Sequence, residues 1–336
     1  MAITIKDIAR ESGYAVGTVS RVLNNSPDVS DVARAKIMKV VEKHHFELNS
    51  NAKHLKQQAS NGVAIIVKGS QNMLFASIVE QMQGMLTEKG FACIIYYINE
   101  TENEVETAVR ICTERRPMGI MFLGYHLPNF RERFQAIEIP CVLVTNSAKN
   151  LNFKNLSSVS IDDTKAAMTA VDHLVKLGHR EIGVLSGHTD ISDMAYSRYL
   201  GCKEAFEGHN IPFDTDKQFI ECFYSMAEGY AGMQKLLQNI PQITAVFAAS
   251  DVMAVGAVRA IKDSGRKVPD DISVIGFDGL ELSQYLYPKL TTIKQNGDII
   301  AQRSVEILLD NIGNQSEAVH ITVPFELIIG ESTKQL

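Results

Sequence analysis

The sequence lacks any apolar run long enough to span a membrane, although 45% of its 336 residues are hydrophobic. Its first residues also lack the charged leader and apolar stretch that mark a signal peptide. These absences argue against a membrane or exported protein and lead us to expect a cytoplasmic one. The length favours two or three domains over one.

Paired cysteines are absent as well. The five cysteines show no paired spacing, which argues against the usual disulfide and metal-ligand patterns. Several lie in apolar segments, so we expect buried, reduced thiols and no metal site. They are Cys93, Cys112, Cys141, Cys202 and Cys222.

The motifs that commonly mark an enzyme on an α/β fold are missing too. No Gly-x-Gly-x-x-Gly follows the first apolar segment of the body, and no phosphate-binding loop is present. No nucleophile with a positioned base can be named. We therefore predict no catalytic residue, no cofactor and no enzymatic activity.

Charge is distributed unevenly along the chain, whose formal net charge is −6. Residues 1–60 carry nine Lys and Arg against six Asp and Glu, a balance of +3. The remainder carries 24 against 33, a balance of −9. This split predicts a mildly basic N-terminal part that contacts nucleic acid and an acidic body that does not.

The N-terminal residues predict a short helix that ends in a tight turn. Thr4 can cap this helix, with Asp7 completing a capping box. Gly13 supplies the left-handed conformation that ends the helix and turns the chain. The apolar face consists of Ile5, Ile8 and Ala9.

A second helix is predicted from about Val16 to Leu23, with Val19, Val22 and Leu23 buried. Its first residues suit a helix that enters a DNA major groove, because small groups there permit close approach to base edges. Val16 and Gly17 are the candidate base readers. The candidate phosphate contacts are Thr18, Ser20 and Arg21, of which Arg21 also reaches a guanine.

A third helix is predicted from a Ser30 cap to about His44, closing a three-helix core. Its apolar residues are Val32, Ile37, Val40 and Val41. The alternative for this segment is a helical hairpin that only packs or dimerises.

The run Gly13 to Asn24, with Asp28-Val29-Ser30 and Phe46-Glu47-Leu48-Asn49, closely resembles the N-terminal domain of the lactose-repressor/galactose-repressor family of bacterial transcription factors. Residues 1–48 are therefore expected to form a helix-turn-helix DNA-binding domain, here called the head. Residues 49–60 are expected to be a linker that resembles the family's hinge helix. In it, Leu55 matches the leucine that wedges into the minor groove and kinks DNA.

The resemblance implies a set of DNA contacts in the head and hinge. They are Thr4, Val16, Gly17, Thr18, Ser20, Arg21, Asn24, Asn49, Ala52, Lys53, Leu55 and Lys56. The alternative for the hinge is an ordinary interdomain linker. Two departures from the family pattern stand out: Ala15 replaces a serine N-cap, which weakens the second helix by about 1 kcal/mol, and Leu48 replaces a proline.

From Gly62 onward, short apolar runs alternate with amphipathic stretches, which is typical of parallel α/β structure. Two such series predict two doubly wound parallel-sheet lobes in residues 61–336. The strands are predicted at 63–67, 92–97, 119–123, 141–144, 182–185, 245–248 and 273–276. The order of motifs resembles the family's effector and dimerisation domain, itself similar to periplasmic sugar-binding proteins. Lobe 1 is expected at about 61–160 and 292–322, and lobe 2 at about 161–291 and 323–336.

In such sheets ligands collect at the carboxyl ends of the strands. Carried over by position, the resemblance implies that Arg198 and Asp278 grip adjacent hydroxyls of a small effector. The full set of expected effector contacts is Phe75, Tyr125, Thr145, Arg198, Tyr224, Ser250, Asp251 and Asp278. Each has a structural alternative, as a helix cap, an ion-pair partner or a core residue. Thr145 and Met194 depart from the monosaccharide pattern, which leaves room for a larger or less polar ligand.

We therefore predict a homodimeric transcriptional regulator, a repressor, that binds a palindromic operator of about 16 to 20 base pairs. Its DNA affinity is controlled by a small effector, a sugar, held between two lobes. One alternative is a carbon-catabolite regulator with a phosphocarrier protein as corepressor. Another, from a different class, is a sugar-binding transport protein. The absence of a heptad tail argues against a tetramer.

Overall fold

The computed structural model describes residues 5–23, 28–44, 62–69, 72–314 and 316–336. The chain forms two compact units, Met1–Gln58 and Ala59–Leu336. None of the helices in these described stretches combines the length and apolar character that a membrane span requires.

The first unit contains the three predicted helices, α1 (Ile5–Ser12), α2 (Val16–Leu23) and α3 (Asp31–Lys43). Gly13 has a φ of 75° and ends α1, and the Ser30 side chain accepts a hydrogen bond from the backbone N–H of Ala33 at the start of α3. Both features were predicted. The buried core consists of Ile8, Ala9, Val19, Val22, Ile37 and Val41.

The prediction that Val32 belongs to the core of the head is wrong. Val32 is 76% exposed. The buried stripe of α3 runs instead through Ala33, Ile37 and Val41, spaced by four residues, so Val32 falls outside it.

The second unit begins with a lobe of parallel α/β structure, as predicted. Its elements are β1 (Gly62–Lys68), α4 (Met73–Glu88), β2 (Ala92–Ile98), α5 (Glu104–Arg115), β3 (Gly119–Leu123), α6 (Leu127–Arg133), a 3₁₀ turn (Phe134–Ala136), β4 (Cys141–Val144) and β5 (Leu156–Ser160).

The chain then builds the second lobe. Its elements are α7 (Asp163–Lys176), β6 (Ile182–Ser186), α8 (Asp193–Gly208), α9 (Thr215–Gln218), β7 (Phe219–Glu221), α10 (Met226–Asn239), β8 (Ala245–Ala248), α11 (Asp251–Asp263), β9 (Ser273–Asp278), a 3₁₀ turn (Glu281–Gln284) and β10 (Thr291–Gln295).

Three further elements tie the lobes together. Helix α12 (Gly297–Asn314) returns to pack on α4 and the first sheet. Strand β11 (His320–Thr322) joins the first sheet, and β12 (Phe325–Ile328) joins the second. The strand orders are β11-β5-β4-β3-β1-β2 and β12-β10-β9-β8-β6-β7, with β12 antiparallel to β10 and the other pairs parallel. The chain therefore passes between the lobes three times.

The predicted return to lobe 1 at about residue 292 needs correction. Residues Thr291 to Lys294 pair with β9 and thus belong to the second sheet, so the return follows Gln295. All seven predicted strands are present with nearly the predicted bounds. Strands β5, β7, β10, β11 and β12 were not predicted, because they are short or rich in Ser, Thr and charged residues.

Helix α8 packs against α7 through a glycine. A Cβ added at Gly201 would clash with the backbone carbonyl oxygen of Thr164 on α7. Glycine at this position is therefore what allows the two backbones to approach so closely.

All five cysteines are free. Three are buried, as predicted: Cys141, Cys202 and Cys222. Cys93 and Cys112 are only half-buried, and burial raises the pKa of the Cys93 thiol to about 11, so it stays protonated at neutral pH.

Candidate functional site

The outward face of α2 carries small and polar groups, as the sequence predicts. Val16 is 41% exposed, and Gly17 and Arg21 are also exposed. Thr18 and Ser20 are half-buried. Val19 and Val22 on the opposite face enter the core. The residues predicted to contact bases and phosphates thus lie on the solvent-facing side of α2. Packing of the opposite, apolar side against the core fixes the orientation of the helix.

Gly17 stands out on this face because no described residue of the head requires a glycine there. A Cβ added at this position would meet no atom of the described residues within 4 Å. A glycine inside a helix costs about 1 kcal/mol relative to alanine. The absence of a side chain is therefore more useful to a close external partner than to the packing of the head.

The other predicted DNA contacts lie outside the described residues. They are Thr4, Asn24, Asn49, Ala52, Lys53, Leu55 and Lys56. The same holds for the predicted hinge helix.

In the second unit, residues that follow the carboxyl ends of strands from both lobes enclose one small cavity. Lys68 ends β1, Tyr125 follows β3, His188 follows β6 and Tyr224 follows β7. The described residues that line it are Lys68, Asn72, Phe75, Glu100, Gly124, Tyr125, His188, Ile191, Ser192, Met194 and Tyr224. We call it the central cavity. Its volume of about 30 Å³ holds roughly two water molecules, so a larger ligand requires the lobes or side chains to move.

Arg198 is held rigidly beside this cleft. Its Nε donates to Asp163 Oδ1 at 2.8 Å and one terminal nitrogen donates to the Ala249 carbonyl at 2.7 Å. The guanidinium lies 3.8 Å from the ring centroid of Phe277, a cation–π arrangement. The other terminal nitrogen, Nη2, is buried and has no hydrogen-bond partner among the described residues. One strong donor is thus fixed in place and unsatisfied.

Asp278 supplies a carboxylate in the same region. It ends β9 with a φ of 115°, a conformation that costs energy in a non-glycine residue and that is frequent at functional sites. Its Oδ1 accepts a hydrogen bond from Gln295 Nε2 at 2.9 Å. Burial raises the pKa of Asp278 to about 6, although Arg198, Gln295 and Ser250 oppose the shift.

Ser250 and Tyr224, two further predicted effector contacts, lie close to Asp278 and Arg198. Ser250 precedes α11 in the capping position but makes no side-chain cap to it, and its hydroxyl bonds to Asp278 instead. The Tyr224 hydroxyl is buried, with no hydrogen-bond partner in the part of the chain that the structure describes. Its ring packs on Gly187, where a Cβ would clash with it. Burial raises the pKa of Tyr224, so the phenol stays a donor.

Two predicted contacts have other roles in the structure. Both carboxylate oxygens of Asp251 are occupied, one by the Thr292 hydroxyl at 2.6 Å and the other by the backbone N–H of Leu280 at 2.7 Å. Asp251 therefore ties α11 to β10 and to the segment that follows β9, and each of its oxygens already accepts a hydrogen bond. Thr145 is fully buried and bonds to Asn146 at 3.4 Å, so it offers no surface to a ligand.

A buried ion pair that was not predicted from the sequence joins the cavity residue Lys68 to Glu104. Lys68 Nζ donates to Glu104 Oε2 at 2.9 Å, and Glu104 also accepts from the backbone N–H of His126 and from Asn129. A lysine that directly follows a fully apolar strand was the signal for Lys68. Nothing in the sequence indicated its partner, because 36 residues separate the two.

Two family models match the chain. The model described as bacterial regulatory proteins, lacI family, matches residues 4–49. The model described as a periplasmic binding protein-like domain matches residues 171–333. The HTH-type transcriptional regulator MalR of Clostridium butyricum is 36% identical over 335 residues, which cover 98% of this chain and 99% of the relative.

Solved structures with similar folds include protein–DNA and protein–sugar complexes. The lac repressor dimer bound to operator and the anti-inducer ONPF has a TM-score of 0.72 and 26% identity, with 99% of this chain and 100% of the other covered. The complex of the transcriptional regulator CelR with cellobiose has a TM-score of 0.70 and 25% identity, with 98% and 99% covered.

Proposed function

The chain belongs to the lacI family of bacterial regulatory proteins and is a DNA-binding transcriptional regulator; from this premise, we propose that it is a homodimeric repressor controlled by a sugar. In this proposal the sugar binds between the two lobes of the second unit. Two heads read a palindromic operator of about 16 to 20 base pairs, one half-site each.

The observation that carries the effector proposal is a pair of buried donors at the cleft, Arg198 Nη2 and the Tyr224 hydroxyl, for which the described residues supply no acceptor. A buried donor without a partner costs about 1–3 kcal/mol. A ligand rich in oxygen removes that cost because its oxygens accept hydrogen bonds from these donors. The Asp278 carboxylate accepts hydrogen bonds from ligand hydroxyls in return. A guanidinium and a carboxylate that act together suit the adjacent hydroxyls of a sugar ring.

Aromatic residues complete this chemistry. Phe75 and Tyr125 from the first lobe border the central cavity together with Tyr224 from the second. Aromatic faces pack on the C–H face of a sugar ring while polar groups bind its rim. Because residues from both lobes contact the ligand, the free energy of binding depends on how the lobes are arranged.

That dependence is the proposed route of control. An effector that binds one arrangement of the lobes more tightly shifts the population towards it. In a dimer, this changes the spacing of the two segments at 49–60 and so the fit of the heads to the operator. The free energy by which the effector changes DNA affinity is limited by the difference in its binding free energy between the two arrangements of the lobes. We propose that the effector lowers operator affinity.

The DNA-binding half of the proposal is tested by selecting genomic fragments with the purified full chain and measuring affinity by fluorescence anisotropy. Arg21→Ala should weaken binding to the selected operator by about tenfold or more, since a base or phosphate contact contributes about 1–3 kcal/mol. Lys262→Ala removes one positive charge from an exposed position on α11 and serves as the control. Failure to select any duplex, or equal losses in both variants, contradicts the proposal.

The effector half is tested on the same operator with a panel of sugars. One of them should lower operator affinity of the wild type. Tyr224→Phe removes only a hydroxyl that has no partner, so it should fold normally yet weaken the response to that sugar by about fivefold to tenfold. A full response in this variant removes Tyr224 from the site, and no response of the wild type to any sugar overturns the sugar proposal.

A further inference from the structure

We propose that Glu104 is a positioning residue that couples the central cavity to the contact between the two lobes. On one side its carboxylate holds the Lys68 ammonium, which borders the cavity. On the other side it holds the segment at the start of α6, which contacts the second lobe. The inference rests on the proposed function and deepens it, because it names the residues through which a change in the cavity affects the arrangement of the lobes.

Glu104 is buried in a way that its position in α5 does not explain. It begins the helix, where an acid ordinarily faces water and stabilises the positive end of the helix dipole. Glu106, in the same turn, is exposed and pairs with Arg133 at 3.2 Å. Glu104, by contrast, is fully buried. A buried ion pair adds little to stability, since desolvation of the two charges offsets their attraction. The pair is better explained by what it holds in place.

Two separate segments of the first lobe converge on the Glu104 carboxylate. Its Oε2 accepts hydrogen bonds from Lys68 Nζ at 2.9 Å and from Asn129 Nδ2 at 3.0 Å. Its Oε1 accepts one from the backbone N–H of His126 at 2.6 Å. Lys68 ends β1, whereas His126 and Asn129 lie at the start of α6. Both bonds to the α6 segment involve a charged acceptor and are therefore strong. They fix the position of this segment relative to the Lys68 ammonium.

The segment that Glu104 holds also makes the contact between the lobes. The backbone N–H of Leu127, the residue after His126, donates to Asp193 Oδ2 of the second lobe. Pro128 follows in the chain, and its ring restricts the backbone of Leu127 as well as its own. A displacement of the His126 amide is therefore passed on to the Leu127 amide, because the backbone between them has little freedom to absorb it.

The contact between the lobes also has room to adjust. His126 Nδ1 is buried, has no hydrogen-bond partner among the described residues and lies 3.8 Å from Asp193 Oδ2. A shift of about 1 Å would bring these two atoms to hydrogen-bond distance. The strength of the contact thus depends on where the His126 segment lies, and Glu104 fixes that position. A ligand oxygen that binds the Lys68 ammonium competes with Glu104 for it, and so changes a contact that the ligand itself does not reach.

Hydrogen exchange of the Leu127 amide in the full chain, resolved by fragmentation in the mass spectrometer, tests the inference. Glu104→Gln keeps the shape of the side chain but replaces the charge-assisted bonds by weaker neutral ones. We expect the Leu127 amide to exchange about threefold faster. The Phe91 amide, which donates to the Leu86 carbonyl in the turn after α4, should exchange as in the wild type. Glu106→Gln makes the same chemical change at an exposed site in the same helical turn and should leave both amides unchanged.

Two further variants trace the effect to the cavity. Lys68→Met should speed exchange at Leu127 to a similar degree, because a buried carboxylate without its counter-charge is drawn towards water and releases the His126 amide. The double variant Lys68→Met/Glu104→Gln should be no faster than Glu104→Gln alone, since both changes act through one carboxylate. The double variant removes both buried charges, so it replaces a single variant that fails to fold. In that case its Leu127 amide should exchange about threefold faster than in the wild type.

Several results would overturn the coupling. They are an unchanged Leu127 amide in Glu104→Gln, an equal effect of Glu106→Gln, and equal acceleration at Phe91, which would indicate general loosening of the first lobe. Additive effects of the two changes would show that Lys68 acts on α6 without Glu104. The measurements use neither effector nor DNA. A chain that binds its operator yet shows no coupling therefore loses this inference and keeps the proposed function, and a chain that selects no operator loses the proposed function whatever the exchange at Leu127.

Discussion

Asp193, the first residue of α8 in the second lobe, accepts a hydrogen bond from the backbone N–H of Leu127 in the first lobe. Its Oδ2 also lies 3.8 Å from His126 Nδ1. Ser192 and Met194, the neighbours of Asp193, line the central cavity. The contact therefore joins the two lobes at the rim of the proposed effector site and favours the closed arrangement.

Removing this carboxylate should loosen the rim. In Asp193→Ala the Leu127 amide loses its acceptor, and we expect its hydrogen exchange to be about fivefold faster, equivalent to about 1 kcal/mol. Exchange measured by mass spectrometry on peptides that contain Leu127 checks this. Asp190→Ala, an exposed acid in the loop before α8, is the control. Equal exchange rates in the two variants would show that the contact does not restrain the lobes.

The buried carboxyl of Asp278 should make the second unit less stable as pH rises. Its pKa is about 6 in the folded chain against an ordinary value of 3.8, so the native state binds the proton more tightly than the unfolded state. Its contribution is fully present below about pH 4 and is lost as pH rises to about 6, by up to about 3 kcal/mol.

Asp278→Asn should abolish this dependence. Urea unfolding of the second unit at several pH values compares the two proteins, and the variant's free energy of unfolding should gain on the wild type between pH 4 and pH 6. Carboxyls that do not interact with Asp278 titrate alike in both proteins and cancel in the difference, whereas the pKa of Asp251, which the Asp278 charge helps to raise, falls in the variant. A difference that stays constant with pH would mean that Asp278 is not desolvated as described.

The head should gain stability from a better cap. The carbonyl oxygen of Ala15 accepts hydrogen bonds from the backbone N–H groups of Thr18 and Val19, which places Ala15 at the N-cap of α2 without a side-chain acceptor. Ala15→Ser adds one and should stabilise the helix by about 1 kcal/mol. Hydrogen exchange of α2 in the full chain should slow about fivefold, whereas Ala15→Val should give no gain. Similar exchange in both variants would argue against this cap.

Two glycines of α8 should respond oppositely to alanine. In Gly201→Ala the new Cβ clashes with the backbone of Thr164, and we expect a loss of about 3 kcal/mol. Gly208→Ala meets no atom within 4 Å and should stabilise the helix by up to about 1 kcal/mol. Urea unfolding of the second unit checks both variants, and a tolerated Gly201→Ala would show that α7 and α8 can separate at little cost.

Much of the fold was predictable because local patterns reflect local backbone structure. Gly13, the Ser30 cap and the apolar spacing of Val19 and Val22 identified the head. Apolar runs identified seven strands. Strands such as β5, with the sequence LSSVS, escaped notice although all five residues are buried. Their hydroxyls are satisfied by distant partners, as when Ser157 accepts from Asn311, and no local pattern reveals such partners.

The candidate site, like the fold, was only partly predictable from the sequence. The amino-acid sequence by itself determined which residue types follow the strands, and its resemblance to the family made Arg198, Tyr224 and Asp278 candidates. Only the tertiary structure decided which charged side chains are available to a ligand. Asp251 accepts hydrogen bonds from Thr292 and Leu280, and Lys68 is neutralised by Glu104. The physical reason is that burial and pairing arise between segments far apart in the chain. Whether a charge is available to a ligand depends on those contacts and not on its neighbours in sequence.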